Sequence, residues 1–238
     1  LEILFSFADK NAFLNKDLDS IDISIHGLRT IGESAFSGNN LTHVDFPGGW
    51  LTSVAKYAFA NNQLQNISLP SSLESLGDYA FAHNQISELW ICNSFSCPRI
   101  SLGVGTFSNN QLKSLNLPNG IRVIPDHAFS KNQLATLTLP ATGTIIGSSA
   151  FSENKLSSIT IPNSYADIRN NAFANNQLTY AQFLGDRPEM SNLDNNGVFT
   201  ANQEFNTVTF CAGNEGWPGE AIIVDGRNVA PIDDCDND

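Results

Sequence analysis

The sequence predicts an α/β solenoid, in which stacked coils place a parallel β-sheet on one side and short helical or 3₁₀ turns on the other. Three observations predict it: a phenylalanine that recurs at a regular interval, an asparagine three residues after it, and an alternation of apolar and polar residues after that asparagine. The phenylalanines are separated by 22, 23 or 26 residues along most of the 238-residue chain. A period in this range is typical of stacked repeats, each of which buries an apolar face against its neighbours. The recurring phenylalanines are Phe13, Phe36, Phe59, Phe81, Phe107, Phe129, Phe151, Phe173 and Phe199.

The segment after each asparagine predicts a short strand. In the unit that contains Phe129, the residues Leu137 and Leu139 alternate with polar residues. This period of two indicates a strand with one buried face. Pro140 ends the strand, because proline has no N–H group for a continuing ladder.

The segment before each asparagine is too short for a long helix, and it predicts a single turn of α- or 3₁₀-helix. Such a turn would place Ala128 and Phe129 inward, behind the sheet. We therefore expect the phenylalanines to pack in the core. An aromatic platform for a carbohydrate is the alternative interpretation of the same residues.

The recurring asparagine predicts a bend before each strand. Asparagine tolerates left-handed backbone geometry, and its amide can form hydrogen bonds with neighbouring peptide groups. We expect these side chains to pair with backbone groups that would otherwise be unsatisfied where one coil stacks on the next. A row of ligand-binding amides is the alternative. The asparagines are Asn39, Asn62, Asn84, Asn110, Asn132, Asn154, Asn176 and Asn202.

The complete repeat is aliphatic-Gly-x-x-Ala-Phe-x-x-Asn-x-Leu-x-x-(Ile/Leu)-x-Leu-Pro, which residues 31–47, 76–91 and 146–162 show well. It resembles the BspA-like class of leucine-rich repeats over about residues 8 to 211. The resemblance implies a leucine-rich-repeat-like, right-handed coil that is curved so that the parallel sheet lies on its concave face. It also implies a bacterial or protist protein, secreted or displayed on the cell surface, that takes part in adhesion and in binding other proteins.

The repeat suggests one solenoid domain of about nine units over residues 1–211, followed by a C-terminal cap and acidic tail over residues 212–238. Residues 1–23 are predicted to be an N-terminal capping unit, because Lys16 stands where the other units have asparagine. The two intervals of 26 residues, after Phe81 and after Phe173, contain insertions. Such insertions map to loops, which often flank a binding face.

The composition argues against several classes of function. The formal net charge is -12, so the basic footprint of a nucleic-acid-binding protein is missing. No apolar run reaches the length of about 18 residues that a transmembrane helix needs, and we expect no membrane insertion. The sequence contains no Gly-rich phosphate loop, H-E-x-x-H or G-x-S-x-G motif. We therefore predict a protein that is not an enzyme, has no cofactor and is monomeric.

The four cysteines lie outside the repeated core positions and predict two local disulfide bonds, Cys92 with Cys97 and Cys211 with Cys235. Four cysteines allow three pairings, and the local one is favoured because a solenoid keeps distant repeats apart. Disulfide bonds would indicate an oxidising compartment. Zinc ligation is the competing interpretation, although no histidine lies at ligand spacing from either pair.

The acidic tail contains weak candidates for calcium ligands. Asp234, Asp236 and Asp238 alternate with other residues and resemble the opening of a thrombospondin type 3 or EF-hand calcium loop. The glycine and the later acidic ligand of such a loop would lie beyond residue 238, so calcium is expected only if the chain continues. A frayed acidic terminus is the alternative.

The outward side of the sheet is the predicted binding surface. In each unit the residues two and four positions after the repeat leucine point away from the core, because side chains alternate along a strand. Most are small and polar, as on a solvated sheet. Trp90 is the best candidate for a contact, since tryptophan is favoured at binding hot spots, unless it packs under the loop between Cys92 and Cys97. The candidate ligand-binding residues are His43, Asp45, Asn66, Ser68, Glu88, Trp90, Asn116, Thr136, Thr138, Tyr180 and Gln182.

These observations predict a non-catalytic recognition module that binds protein, or mediates adhesion, at a microbial surface through the concave sheet face and the inserted loops. A glycan-binding module, with Trp90 and Tyr180 as stacking groups, is the first alternative. Ice or crystal-surface binding by the Ser/Thr ladder and a passive structural spacer are the others. The expected partner is a protein or a glycan, and the expected location is secreted or at the cell surface.

Overall fold

The computed structural model describes residues 7–23, 27–46, 49–91, 99–186, 188–190, 197–210, 222–224, 227–229 and 231–233. Over these residues the chain forms a parallel β-solenoid of about seven turns. Its strands are β1 (Phe7–Ala8), β2 (Thr30–Ile31), β3 (Ser53–Val54), β4 (Asn66–Leu69), β5 (Ser75–Leu76), β6 (Glu88–Ile91), β7 (Ser114–Asn116), β8 (Val123–Ile124), β9 (Thr136–Thr138), β10 (Ile145–Ile146), β11 (Ser158–Ile161), β12 (Asp167–Ile168), β13 (Tyr180–Phe183), β14 (Glu189–Met190), β15 (Thr207–Phe210), β16 (Ile222–Val224), β17 (Arg227–Val229) and β18 (Pro231–Asp233).

The two-residue strands that precede each bend form what we call the short-strand ladder, which consists of two four-stranded segments in the described residues. β1, β2, β3 and β5 pair in parallel in that order, and Ser75 of β5 forms a further bridge with Ser101. β8, β10, β12 and β14 continue the arrangement in later coils. The second residue of these strands is apolar and buried from β2 to β12, so this ladder forms one wall of the core.

The strands that follow each asparagine form the second wall, which we call the long-strand ladder. β4 pairs with β6, β7 with β9, and β11, β13, β15 and β18 pair in that order, all in parallel. Exposed and buried residues alternate along β4 and β11, which confirms the predicted strand pattern. In the described residues β6 does not pair with β7, nor β9 with β11, so this ladder consists of three segments.

The recurring phenylalanines lie in the core, as predicted, and their rings form a continuous stack there. Ring centroids of consecutive coils lie between 5.2 and 5.8 Å apart from Phe13 to Phe199, and the ring planes are nearly parallel. The rings from Phe36 onward are fully buried, whereas Phe13 in the first coil is half-buried. Each ring therefore packs against its counterparts in the neighbouring coils.

The bend around each phenylalanine contains no helix in the described residues, so the predicted α- or 3₁₀-helical turn was wrong. Ser130 N–H donates to the His127 carbonyl of its own coil (3.1 Å), but Phe129 N–H donates to the Ala150 carbonyl of the next coil (2.9 Å). A helix needs consecutive bonds within one segment, and here alternate N–H groups bond to the neighbouring coil instead. His127 and Lys131, on either side of Phe129, have φ of 58° and 56°, and such left-handed residues interrupt a right-handed helix.

The asparagine side chains satisfy backbone groups at the bend, as predicted. Nδ2 of Asn132 donates to the Phe129 carbonyl of its own coil (3.1 Å) and to the Phe107 carbonyl of the preceding coil (3.0 Å). Its Oδ1 accepts from Leu112 N–H, also in the preceding coil (3.0 Å). The left-handed residue is Lys131, immediately before the asparagine. Asparagine therefore acts through its amide and not through left-handed geometry. Equivalent bonds are made by Asn62, Asn84, Asn110, Asn154, Asn176 and Asn202.

The glycine of the repeat allows the coils to approach each other closely. A Cβ atom placed on Gly147 would lie 2.5 Å from the backbone nitrogen of Asp126 in the preceding coil. Because real Cβ atoms do not come this close to backbone, any larger residue would force the two coils apart.

The long-strand ladder continues into the C-terminal segment. β18 pairs with β15 in the register Val208 to Pro231, and β16 and β17 form an antiparallel pair. The ladder thus extends beyond residue 211, and the predicted division of the chain at that point stays a prediction. Within the described residues there is no helix of the length and apolarity needed to cross a membrane.

Candidate binding surface

The residues predicted to point outward lie on the outer face of the long-strand ladder. Those from His43 to Thr138 in the predicted set are exposed, whereas Tyr180 and Gln182 are half-buried. The predicted strand orientation is therefore correct, and the role of these residues in binding stays a prediction.

The two aromatic candidates differ in their accessibility. The Tyr180 hydroxyl lies 2.8 Å from Oγ1 of Thr209 on the neighbouring strand, and Thr209 is only 4% exposed. Trp90, in contrast, is 42% exposed. Trp90 therefore offers more surface to a ligand than Tyr180 does.

One groove on this face brings together several of the predicted residues, and we call it the N-terminal groove. It has a volume of 300 Å³, with an apolar floor and a polar rim. β4, β6 and the segment 43–46 supply its walls. It is lined by His43, Val44, Asp45, Phe46, Asn66, Ser68, Leu69, Pro70 and Trp90.

The groove opens because the segment 43–46 does not join the ladder. Gln65 N–H donates to the Thr42 carbonyl (3.3 Å), and no further backbone hydrogen bond connects the segment to β4 among the described residues. The segment is followed in the sequence by Pro47, Gly48 and Gly49, and proline and glycine disfavour a continuing strand.

Phe46 forms part of the floor of the groove. Its ring meets the core rings of Phe59 and Phe81 edge-on, with centroid distances of 5.7 and 6.1 Å. It is half-buried, so one part of the ring packs in the core while another faces the groove. Sequence reasoning missed this residue, although an aromatic residue at the last inward position before Pro47 was a visible signal.

The rim of the groove carries one carboxylate, that of Asp45, and a second carboxylate, that of Glu88, lies on the same face outside the groove lining. Nε2 of His43 lies 2.9 Å from Oδ1 of Asp45, and both side chains are largely exposed. Glu88 lies beside Asn66 in the pairing of β4 with β6 and points outward in the same region. No lysine or arginine occupies an outward position of the long-strand face from residue 20 to residue 90, so the carboxylates determine the sign of the local potential.

A small residue separates the Asp45 carboxylate from the tryptophan. Ser68 lies beside Trp90 in the register of β4 and β6, and Asp45 occupies the same repeat position one coil earlier. Asp45, Ser68 and Trp90 all line the groove, with Ser68 in the coil between the other two. The short serine side chain therefore leaves a gap between a carboxylate and an aromatic ring.

The C-terminal part of the face has different chemistry. A depression of 430 Å³ lies where β9 and β11 do not pair, and hydroxyl groups dominate its outward side chains. Thr160 Oγ1 is 3.4 Å from Gln182 Oε1. The outward side chains from Ser114 to Gln182 carry no formal charge.

A second aromatic pair, which sequence reasoning also missed, lies at the bend. Tyr57 and Tyr79 stack with their ring centroids 5.4 Å apart, and Lys56 Nζ lies 5.0 Å from the Tyr57 ring. Both tyrosines stand two residues before a repeat phenylalanine, which was the signal available. They lie away from the long-strand face and do not contribute to the N-terminal groove.

The remaining candidates lie outside the described residues. They are Cys92, Cys97, Cys211, Cys235, Asp234, Asp236 and Asp238, so the predicted disulfide bonds and calcium ligands stay predictions. In the part of the chain that the structure describes, no three His, Cys, Asp or Glu side chains are grouped so that they could hold a metal ion.

The parallel ladders, the phenylalanine stack and the asparagine bend define a repeat protein with a solenoid fold. The family model described as "BspA type Leucine rich repeat region (6 copies)" matches residues 7–101 and 100–217. The chain belongs to this family of leucine-rich repeats, which confirms the resemblance seen in the sequence.

A leucine-rich repeat protein from Bacteroides ovatus has a similar structure, with a TM-score of 0.73 and 22% identity over 88% of this chain and 54% of that protein. The chain thus spans about half the length of that protein, and the likeness shows the fold. A leucine rich cell surface protein from Faecalibacterium prausnitzii has a TM-score of 0.38 and 16% identity over 87% of this chain and 77% of its own. The pneumococcal vaccine antigen PcpA has a TM-score of 0.34 and 15% identity over 77% of this chain and 66% of its own. The comparison with curated proteins found no match.

Proposed function

We propose that this protein is a non-catalytic recognition module that binds another protein through the outer face of the long-strand ladder. The observation that carries the proposal is the N-terminal groove, in which an exposed Trp90 stands beside an apolar floor and a polar rim. Interaction sites commonly combine an aromatic anchor with a polar rim. Solenoids also bind their partners along extended surfaces.

The proposed place of action is outside the cell, either in secreted form or on a microbial surface, where binding would serve adhesion. Membership of the BspA-type family supports this location, because the resemblance to that family implies a secreted or surface-displayed protein. The inserted loop that follows β6 begins directly beside Trp90, and we include it in the proposed contact surface.

The proposal is tested by screening the purified protein against panels of extracellular matrix and cell-surface proteins by biolayer interferometry. For any partner found, Trp90→Ala is expected to weaken binding about 30-fold, because removal of a hot-spot tryptophan costs about 2 kcal/mol or more. Trp50→Ala is the matched control, since Trp50 is 46% exposed but does not line the groove. Partners that bind the Trp90 variant as tightly as the parent would contradict the proposed surface.

Glycan binding is a second candidate function, and the exposed Trp90 is the observation that favours it. Tyr180 lies four coils further along the ladder, about 19 Å away, so a single sugar cannot contact both rings. A glycan panel screened with the Trp90→Ala and Tyr180→Ala variants separates the two functions. If the parent protein binds a neutral glycan that the Trp90→Ala variant does not bind, and the protein panels yield no partner, glycan binding would replace protein binding as the proposed function.

The ice-binding and spacer hypotheses have less support. The hydroxyl rows are interrupted where β9 and β11 do not pair, and Tyr180 and Gln182 follow them on the same face. A flat ice-binding surface needs more regular spacing than this. A passive spacer would not require a groove that is lined by an exposed tryptophan.

A further inference from the structure

The geometry points to an arginine-bearing surface segment of a protein partner as the occupant of the N-terminal groove. This inference rests on the proposed function and narrows it to one partner chemistry. Three features carry it: the sign of the charge at the rim, the position of Ser68 between Asp45 and Trp90, and the apolar floor.

The charge of the groove selects a cationic partner. Asp45 and Glu88 are exposed on the outer face, and no lysine or arginine shares the outward positions of this part of the face. The His43 side chain contacts Asp45 from one side only, through a single 2.9 Å pair with Oδ1. Because the whole chain also carries a net charge of -12, an anionic ligand such as a nucleic acid or a sulfated glycan would be repelled.

The gap between Asp45 and Trp90 suits a guanidinium group. A cation stacks on an aromatic ring within about 6 Å of its centroid, and a guanidinium pairs with a carboxylate at an N···O distance of about 2.8 Å. Because Asp45, Ser68 and Trp90 line the same groove, a guanidinium group above Ser68 would have the aromatic ring on one side and the carboxylate on the other. Arginine fits better than lysine, since its planar group can stack on Trp90 and hydrogen-bond to a carboxylate at the same time.

The floor of the groove accommodates the remainder of such a side chain. Phe46, Leu69 and Pro70 form an apolar surface below the rim. An arginine buries its aliphatic stem along surfaces of this kind while its charged end stays at the rim. A neutral sugar would stack on Trp90 but would gain little from the carboxylates, so the groove as a whole favours the cationic segment.

The probe for this inference is a fluorescently labelled Gly/Ser peptide that carries several arginines, compared with the same peptide in which citrulline replaces each arginine. Citrulline keeps the size and planarity of arginine and removes the charge. In fluorescence anisotropy titrations at low salt, the citrulline peptide is expected to bind about 25-fold more weakly, as the loss of two exposed ion pairs predicts. Equal affinity for the two peptides would overturn the inference.

Substitutions in the protein locate the binding site. Asp45→Asn and Glu88→Gln are each expected to weaken binding of the arginine peptide about fivefold, and the double variant about 25-fold. Glu74→Gln makes the same charge change at an exposed position before the short strand β5, and it is expected to leave affinity unchanged. An equal loss in the Glu74 variant would show a general charge effect and would contradict a site in the groove.

The outcomes also separate this inference from the proposed function. A partner from the protein panels that is lost in Trp90→Ala but retained in the Asp45→Asn/Glu88→Gln double variant would uphold recognition and overturn the cationic occupant. If every partner binds the Trp90 variant normally, the proposed function itself is wrong. Circular dichroism melting of each variant confirms that a lost interaction does not reflect unfolding.

Discussion

The bend and the outer face of the long-strand ladder repeat with the same period but obey different constraints. At the bend each coil contacts its neighbours through like residues, phenylalanine on phenylalanine and asparagine amide on backbone. On the outer face, neighbouring positions change from aspartate to serine to tryptophan within three coils. Stacking between coils therefore restricts which residues can occupy the bend, whereas the solvent-exposed positions of the outer face can differ from coil to coil.

The largest effect is expected from truncation of a stacked phenylalanine. Phe129→Ala should lower the free energy of unfolding by about 3–5 kcal/mol, because it removes a buried ring and leaves a cavity between two others. Phe13→Ala is the matched control, since this ring is half-buried and among the described residues stacks only on Phe36; its effect should be smaller. Urea denaturation followed by circular dichroism measures both. Equal losses of unfolding free energy in the two variants would mean that the phenylalanine stack contributes no more stability at Phe129 than at Phe13.

A somewhat smaller effect is expected from the asparagine at the same bend. Asn132→Ala should lower the free energy of unfolding by about 3 kcal/mol, because its three shorter hydrogen bonds, worth about 1 kcal/mol each, are lost inside the protein together with the longer one to the Ser130 carbonyl. Asn116→Ala removes the same side chain from the outer face, where it is exposed, and should change stability by less than about 0.5 kcal/mol. The comparison is made by urea denaturation. A similar loss of unfolding free energy at both positions would show that asparagine at the bend is no more important for stability than asparagine on the outer face.

The smallest effect concerns Tyr165, a core position that does not follow the repeat. It is 3% exposed, and its hydroxyl has no hydrogen-bond partner in the described residues. Tyr165→Phe is expected to raise the free energy of unfolding by about 1 kcal/mol at neutral pH, since an unsatisfied polar group leaves the core. Thermal and urea unfolding of the parent and the variant test this, and a destabilised variant would show that the hydroxyl is satisfied in solution.

The same substitution should change the response to alkaline pH. Burial raises the pKa of Tyr165 above its ordinary value, whereas in the unfolded chain the phenol ionises with a pKa of about 10. The unfolded state therefore loses its proton first, and the stability of the parent protein should fall as the pH rises above about 10. The phenylalanine variant lacks this contribution and should lose less stability over that range in urea titrations.

Most of the interior could be predicted from the sequence, because its signals are local and recur in every unit. The spacing of residues such as Phe107 and Phe129 predicted stacked coils with phenylalanine in the core, and the alternation around Leu137 predicted the orientation of the strands. The conformation of the bend could not be predicted in the same way. Lys131 has no special preference for left-handed geometry, and it adopts this geometry where its N–H donates to the Ser152 carbonyl of the next coil.

The candidate site was predictable only in part. Strand alternation placed Asp45, Ser68 and Trp90 on one face, and the structure agrees. The groove itself depends on whether the segment 43–46 pairs with β4. This pairing involves two neighbouring coils, so the sequence of one segment alone does not determine it. Pro47 and its following glycines were a visible signal for the lost pairing, but they do not indicate the shape that results.

The asparagine bonds give the solenoid a direction. Each amide reaches back to the coil before it, as Asn132 does to Phe107 and Leu112, so every coil depends on its successor to complete its hydrogen bonding. Removing the coil that contains Asn132 would take away the amide that bonds to Phe107 and Leu112 in the coil that remains, whereas removing the preceding coil would leave the amide of Asn132 without these two partners. The two ends of the array are therefore thermodynamically unequal, although the repeats between them are nearly alike.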